Sequence, residues 1–319
     1  MSVGLRLNSN VLKSFQMGRV LKDNSKEINS LDFSRDGDWL VTASDDESIH
    51  LVNCNKGTMD KELFSKKYGV NLIRFTNHNS AVIYASKNES DDSLRYLSVH
   101  DNRFIRYFSG HRDHVTSVAM SPNDDTFLSA ALDQCIYLWD LRTNTSQGKV
   151  GVIGKPQVAY DPQGDVIAVA SGINVVKLYD KRHLDGGPFC VFPIDLPSSV
   201  DFTHVKFSPS GKLILLSTND NIILLLDAYK GNRVADLTDF VHDNSTINIE
   251  ASFTPDEQYI VSGSEDGSIH FWDIQTKQKC NVLKGHAGPV TSVQCNPRFA
   301  MLASACTNLA LWVPTDRSQ

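Results

Sequence analysis

A chain of 319 residues, 41% hydrophobic and 21% charged, can bury a large core as two ordinary domains or one big β domain. Its net charge of −6 and pI near 5.9 give no global electrostatic footprint for nucleic acid or an anionic membrane. The opening MSVGLRLNSN lacks the apolar core of a signal peptide, Ser2 excludes the N-myristoylation pattern, and IILLL at 222–226 is too short to span a bilayer, so a soluble intracellular protein is expected.

In chain order, the first predicted element is a strand-like stretch, VLKSFQMG at 11–18, that belongs to no repeat. A unit then recurs: an aromatic or apolar residue, a small polar residue, often proline, and a turn. It reads FSRDG from Phe33, FTNHN from Phe75, MSPND from Met120, YDPQG from Tyr160, FSPSG from Phe207, FTPDE from Phe253 and CNPRF from Cys295, at spacings of about 40 to 47 residues. After most of these turns comes a β-rich run such as WLVTAS, TFLSAA, VIAVAS, LILLST or YIVSGS. A tight turn and a second run follow, such as SIHLVN, CIYLWD, VVKLYD or SIHFWD. Seven units of this length, with about four short strands each, predict an all-β protein: one seven-bladed β-propeller spanning 1–319 with no internal boundary. The seventh unit ends with its third strand near Trp312, and residues 11–18 are expected to supply the fourth beside 308–313.

The stretches SGSEDGSIHFWD (262–273) and SAALDQCIYLWD (129–140) gather serine, carboxylate and histidine in a hydrolase-like mixture. Repetition in register argues for architecture, because a catalytic triad occurs once, in a cleft. A turn aspartate accepts backbone N–H groups and tolerates unusual dihedrals, which is reason enough for Asp46, Asp133, Asp220 and Asp266, and for Asp92 with a two-residue offset. Unit four has Ile173 and unit seven Cys306 at that place. No GxSxG, HExxH or P-loop pattern occurs. The six cysteines have no metal-site spacing, so free thiols, no metal, no cofactor and no enzymatic activity are expected.

In a propeller of this strand order, the loops entering each unit and those joining its second and third strands share one rim. Lys66, Lys67, Tyr68, Lys87, Arg112 and Lys155 fall on such loops. They are the candidate contacts for a phosphorylated or acidic peptide, against the alternative of a solvated mixed-charge face.

The dipeptides Trp139-Asp140 and Trp272-Asp273, with Gly110-His111 and Gly285-His286, resemble WD-repeat proteins. The resemblance implies a buried hydrogen-bonded set of His111, Ser129, Asp133 and Trp139, with His286, Trp272 and Trp312 as further structural positions. Longer segments, among them SKKYGVNLIRFT (65–76), HDNRFIRYFSGH (100–111), EASFTPDEQYIVSGSEDG (250–267) and CNPRFAMLASACTNLALWVP (295–314), resemble the WD-repeat subunit family of COMPASS-type histone H3 lysine-4 methyltransferase complexes. That resemblance implies a nuclear, non-catalytic scaffold. Its partners would be a SET-domain methyltransferase with the other COMPASS-type subunits and, directly or indirectly, the phosphorylated C-terminal domain of RNA polymerase II. A place in cleavage-and-polyadenylation or protein phosphatase-1 machinery is the alternative. A ubiquitin-ligase substrate receptor is a further one, since Trp139-Asp140-Leu141-Arg142 fits the WDxR pattern once. The segment 183–200, HLDGGPFCVFPIDLPSSV, and the first ten residues fit the family less closely.

Overall fold

Apolar runs that alternate between short turns have nowhere to hide both faces except between neighbouring sheets. The computed structural model, which describes residues 7–88, 91–172, 174–243 and 247–315, resolves this with seven four-stranded antiparallel sheets arranged as propeller blades. Ile173 lies outside the described residues. The innermost strands are Ile28–Phe33, Asn71–Phe75, Val115–Met120, Gln157–Tyr160, Phe202–Phe207, Ala251–Phe253 and Ser292–Cys295. Middle strands such as Trp39–Ser44 and Ala81–Ala85 are buried on both faces, whereas an outer strand such as Thr58–Phe64 alternates exposed and half-buried residues.

The core is divided between the blades. Val41, Ile49 and Leu51 of blade 1 pack against Ile73, Phe75 and Val82 of blade 2. Equivalent apolar clusters lie at every other junction, including Leu31 and Leu40 against Ala303 and Leu311 where blade 7 meets blade 1. A blade on its own would leave such faces in water, at about 25 cal/mol per Å² of apolar surface, so blade and ring stabilise one another. The FSRDG turn shows the fit: Gly37 takes φ +76°, and a Cβ there would collide with Asn296 Oδ1 of blade 7. Asn296 Nδ2 meanwhile donates to Gly37 O at 2.7 Å across the closing junction.

The ring closes through the N-terminal strand Phe15–Leu21, which pairs antiparallel with Leu309–Pro314, from Phe15 opposite Pro314 to Leu21 opposite Leu309. The boundary differs from the predicted 11–18. Ser9–Ser14 is a short helix whose N-cap, Asn8, accepts from Val11 N at 2.9 Å, and the strand starts four residues later than expected. The helix is held by tertiary contacts: Leu12 is buried, and Asn281 Nδ2 of blade 6 donates to Leu12 O at 2.8 Å. No helix among the described residues is long and apolar enough to cross a membrane.

Candidate interaction rim and channel

The rim is shaped by the turns beneath it, most completely in blade 3. Trp139 Nε1 can only donate, and its N–H goes to Ser129 Oγ at 2.8 Å. The Ser129 hydroxyl proton is thereby free to go to His111 Nε2, at 2.7 Å, so the neutral ring carries its proton on Nδ1, facing Asp133 at 3.1 Å. Asp133 also accepts from Arg112 N at 3.0 Å and Cys135 N at 3.1 Å, pinning the incoming loop to the turn. Burial depresses the His111 pKa, with the Asp133 charge opposing. Ser129 is fully buried with both its neighbours engaged, an arrangement suited to holding a loop and closed to a substrate.

The other blades vary this device. In blade 7, Trp312 Nε1 donates to Ser304 Oγ at 2.7 Å and Ser304 lies 2.6 Å from His286 Nε2, but the ring's other nitrogen meets Cys306 Sγ at 3.1 Å. In blade 1, Asp46 accepts from Ser25 N at 2.8 Å and Ser48 N at 3.1 Å. Although partial burial opposes it, hydrogen bonds from Ser48, Ser25 and Ser44 hold Asp46 well below the usual carboxylate range. In blade 6, Asp266 accepts from Ser268 N at 2.9 Å, and the histidine near buried Trp272 is His270, from the same strand, 2.7 Å from Ser268 Oγ.

Two expected turn positions need correction. In blade 2 the turn carboxylate is Asp91, not Asp92. The aspartate that caps the turn stands two residues before the amide it accepts, as Asp133 does before Cys135, and Asp91 accepts from Ser93 N at 2.8 Å. Asp91 also pairs with Arg95, which is almost fully buried, while Asp92 meets His114 at 3.5 Å. In blade 5 the carboxylate of Asp220 accepts from the next amide, Asn221 N, at 2.7 Å. Asn221 Oδ1 anchors the incoming loop in its place, accepting from His242 N, because the turn is shifted by one residue.

The predicted rim residues separate into two groups. Lys87 and Lys155 line a cavity of about 430 Å³ at the channel mouth, together with Asn29, Thr116 and His204. Lys87 is paired there with Asp45, whereas Lys155 has no ion pair among the described residues. Lys66, Lys67 and Tyr68 sit on a loop outside that cavity. The Tyr68 ring lies 3.5 Å from the Arg95 guanidinium and 5.0 Å from Lys67 Nζ, and Lys66 Nζ is 5.2 Å from the Phe64 ring. Tyr68 is thus tied to the Arg95–Asp91 pair and holds the turn as well as facing solvent. Arg112 is exposed, with its backbone fixed by Asp133.

Deeper in the channel is a charged cluster that belongs to no recognised sequence motif. Glu250, 2% exposed, is 2.7 Å from Lys206 Nζ of blade 5 and 3.6 Å from Arg74 of blade 2. Burial works against its charge, yet Lys206 and Arg74 hold its pKa down to about 2. Asp32 accepts from Phe75 N at 2.8 Å, and burial, only partly opposed by Arg74, pushes its pKa up to about 6. Burial also lowers His204 to about 4. The signal was present in the repeat itself: Asp32, Arg74 and Lys206 each stand immediately before the aromatic that opens a unit, on an innermost strand. The described residues contain no group of three or more His, Cys, Asp or Glu suited to a metal ion.

Comparison with known proteins agrees with this architecture. The family described as WD domain, G-beta repeat matches residues 15–53, 102–140, 237–273 and 277–310. The chain is 46% identical to WD repeat-containing protein 82 of Drosophila melanogaster over 98% of both chains. It is 36% identical to the Set1 complex component swd2 of Schizosaccharomyces pombe, over 85% of this chain and 78% of that one. With the COMPASS component SWD2 of Saccharomyces cerevisiae it shares 28% identity over 90% of each. A seven-bladed propeller with the Trp–Ser–His turns of blades 3 and 7, matched end to end by these relatives, belongs to the WD-repeat family of WD repeat-containing protein 82 and the Swd2 subunits.

Proposed function

We propose that the chain is a non-catalytic, nuclear scaffold subunit of a COMPASS-type histone H3 lysine-4 methyltransferase complex, linking it to transcribing RNA polymerase II with a phosphorylated C-terminal domain. The observation that carries the reading is the match, over 85% and 90% of this chain, to two relatives named as a Set1 complex component and a COMPASS component. The seven blades act as one domain that presents loops, and the chemistry belongs to the partners. Four rim cations, Lys66, Lys67, Arg112 and Lys155, have no carboxylate partner among the described residues, so an incoming phosphate meets charges that are not already neutralised.

The test is affinity purification of the tagged chain with mass spectrometry, beside a Lys66→Glu/Lys67→Glu variant. Recovery of a SET-domain methyltransferase by the parent, with loss of phosphorylated polymerase in the variant, is the expected result. Cleavage factors or phosphatase-1 recovered in place of the methyltransferase would replace the reading. Equal recovery of polymerase by both proteins would remove the basic loop from it.

A further inference from the structure

The outer edge of blade 2 is the strand Arg103–Phe108, which pairs on one side with Leu94–Ser98 and, among the described residues, with no strand on the other. Such an edge leaves every second backbone N–H and C=O turned to solvent, and folded proteins usually blunt it with charge, glycine, proline or brevity. Other blades do so. Thr58–Phe64 carries Asp60 and Glu62, Ser146–Gly151 has two glycines, and Cys190–Pro193 stops after four residues at a proline. Arg103–Phe108 instead leaves Phe104, Ile105 and Tyr107 exposed by 40%, 48% and 47%, a concentration of large apolar side chains that marks an interaction surface.

The register gives this edge two different faces. Leu97 stands opposite Phe104 and Tyr96 opposite Arg106, so Ile105 is bulged out and the remaining side chains alternate Arg103, Phe104, Arg106, Tyr107. The two rings fall on the side of blade 1, with centroids 5.3 Å apart. Arg95, opposite Tyr107, places its guanidinium 5.7 Å from the Tyr107 ring and 3.5 Å from that of Tyr68, which fixes the platform from behind. The arginines fall on the side of blade 3, where Arg106 donates to Asn144 Oδ1. Neither arginine forms an ion pair among the described residues, and the buried Arg106 Nε has no acceptor there.

The nearby acids do not cancel these two cations. Asp91 is paired with Arg95. Asp101, in the turn before the strand, keeps its charge beside His100 at 2.7 Å, and Lys61 Nζ reaches the same turn at 2.9 Å from His100 O. Asp125 of blade 3 acts on Tyr96, as Arg106 does, but forms no ion pair among the described residues, so two cations on that face stand against one acid.

We infer that the outer edge of blade 2 takes an added β-strand from a partner protein, an extended segment in which acidic and apolar residues alternate. Its main chain completes the hydrogen bonds that Arg103–Phe108 leaves open. Its apolar side chains cover Phe104 and Tyr107, and its acidic residues stand opposite Arg103 and Arg106, with Cβ atoms about 5 Å away as in any cross-strand pair. A second copy of the chain fits less well, because pairing edge to edge gathers four arginines at one seam. The inference is independent of the histone-methyltransferase reading and invokes neither Lys66 nor Lys67.

The probe is a fluorescein-labelled peptide, Gly-Glu-Val-Glu-Val-Glu-Val-Gly, titrated with the full chain by fluorescence anisotropy. One companion carries lysine for each glutamate, and two others are N-methylated at the three valines or at the three glutamates. The expected result is saturable binding of the first peptide, none of the lysine peptide, and loss in at least one N-methylated peptide, whose blocked amides are those that face the edge. Arg103→Glu/Arg106→Glu and Phe104→Ser/Tyr107→Ser should each weaken binding about tenfold or more, and Lys66→Glu/Lys67→Glu should leave it unchanged. Arg103 is exposed and makes no hydrogen bond among the described residues, so Arg103→Glu alone, expected to weaken binding severalfold, keeps the test decisive should a double variant unfold. Absence of saturable binding, equal binding of the lysine peptide, or full binding by both N-methylated peptides would each overturn the inference. So would tighter binding of a labelled oligouridylate that the same variants abolish, which would assign the strip to single-stranded nucleic acid. A dimer in sedimentation that Phe104→Ser/Tyr107→Ser dissociates would assign it to a second copy instead.

Discussion

Blades 3 and 7 build the same relay from the same parts and end it differently. In both, tryptophan donates to serine and serine to histidine, so the imidazole proton is directed on to Nδ1. In blade 3 that proton meets a carboxylate, Asp133, which also draws in two backbone amides. In blade 7 it meets the sulfur of Cys306, which receives Asn308 N at 3.3 Å. Sulfur is the weaker acceptor and a thiol brings no charge. The pKa of His111 is lowered by burial but partly restored by Asp133, whereas burial alone takes His286 down to about 4. Blade 7 retains the shape of the relay without its electrostatic terminus, and it is also the blade completed by a strand from the other end of the chain.

Removing the shared part should give the largest effect and the least difference between blades. Trp139 and Trp312 are 1% and 3% exposed, so Trp139→Ala and Trp312→Ala are each expected to lose roughly 3–5 kcal/mol in urea unfolding. Trp312 lies opposite Met17 on the closing strand, so its loss should in addition loosen Phe15–Leu21, read as faster amide exchange there. If exchange in that strand does not change, closure is independent of the relay.

Acid separates the two blades. The pKa of His286 is lowered in the folded chain to about 4 from 6.5, so the unfolded chain takes up a proton first. Its contribution is fully present above pH 6.5 and is lost as pH falls through about 4, on the order of 3 kcal/mol over that window. His286→Asn should flatten the stability profile there more than His111→Asn does, because Asp133 already offsets part of the burial penalty on His111. Equal flattening would mean that the carboxylate contributes nothing to the difference.

How much of this was legible follows from what repeats. The turn starts from Phe33 to Cys295 set the blade count, because a propeller imposes one spacing on every unit. Asp133, His111, Ser129 and Trp139 stand at fixed distances within such a unit. Features that occur once are read less well. Asn8 and buried Leu12 turn Ser9–Ser14 into a helix through contacts with blades 6 and 7 that no local pattern announces. Asp91 and Asp92 are neighbours, and only the accepted amide, Ser93 N, distinguishes them. Glu250 meets Arg74 and Lys206 across the channel, from positions far apart in the chain, so the sequence marks them at most as polar residues on inward-facing strands.

The smallest and sharpest test restores the missing carboxylate with Cys306→Asp. The site already presents the donors a carboxylate needs, His286 Nδ1 and Asn308 N, at 3.1 Å and 3.3 Å from the sulfur it would replace. Charge-assisted hydrogen bonds are stronger than those to a thiol, and desolvation of the new charge offsets part of the gain, leaving about 1 kcal/mol of added stability at neutral pH. The negative charge would also raise the His286 pKa from about 4 toward its ordinary value. The acid loss between pH 6.5 and 4 should then shrink, and NMR titration of the imidazole should show the midpoint rising. Stability gained without a shift of that midpoint would mean that the new carboxylate caps the turn at Asn308 alone. A raised midpoint with no gain would mean that burying the charge cancels the hydrogen bonds it completes. Both results together would show that blade 7 lacks only the acceptor, and that the ring tolerates its absence because the tryptophan and serine already hold the loop.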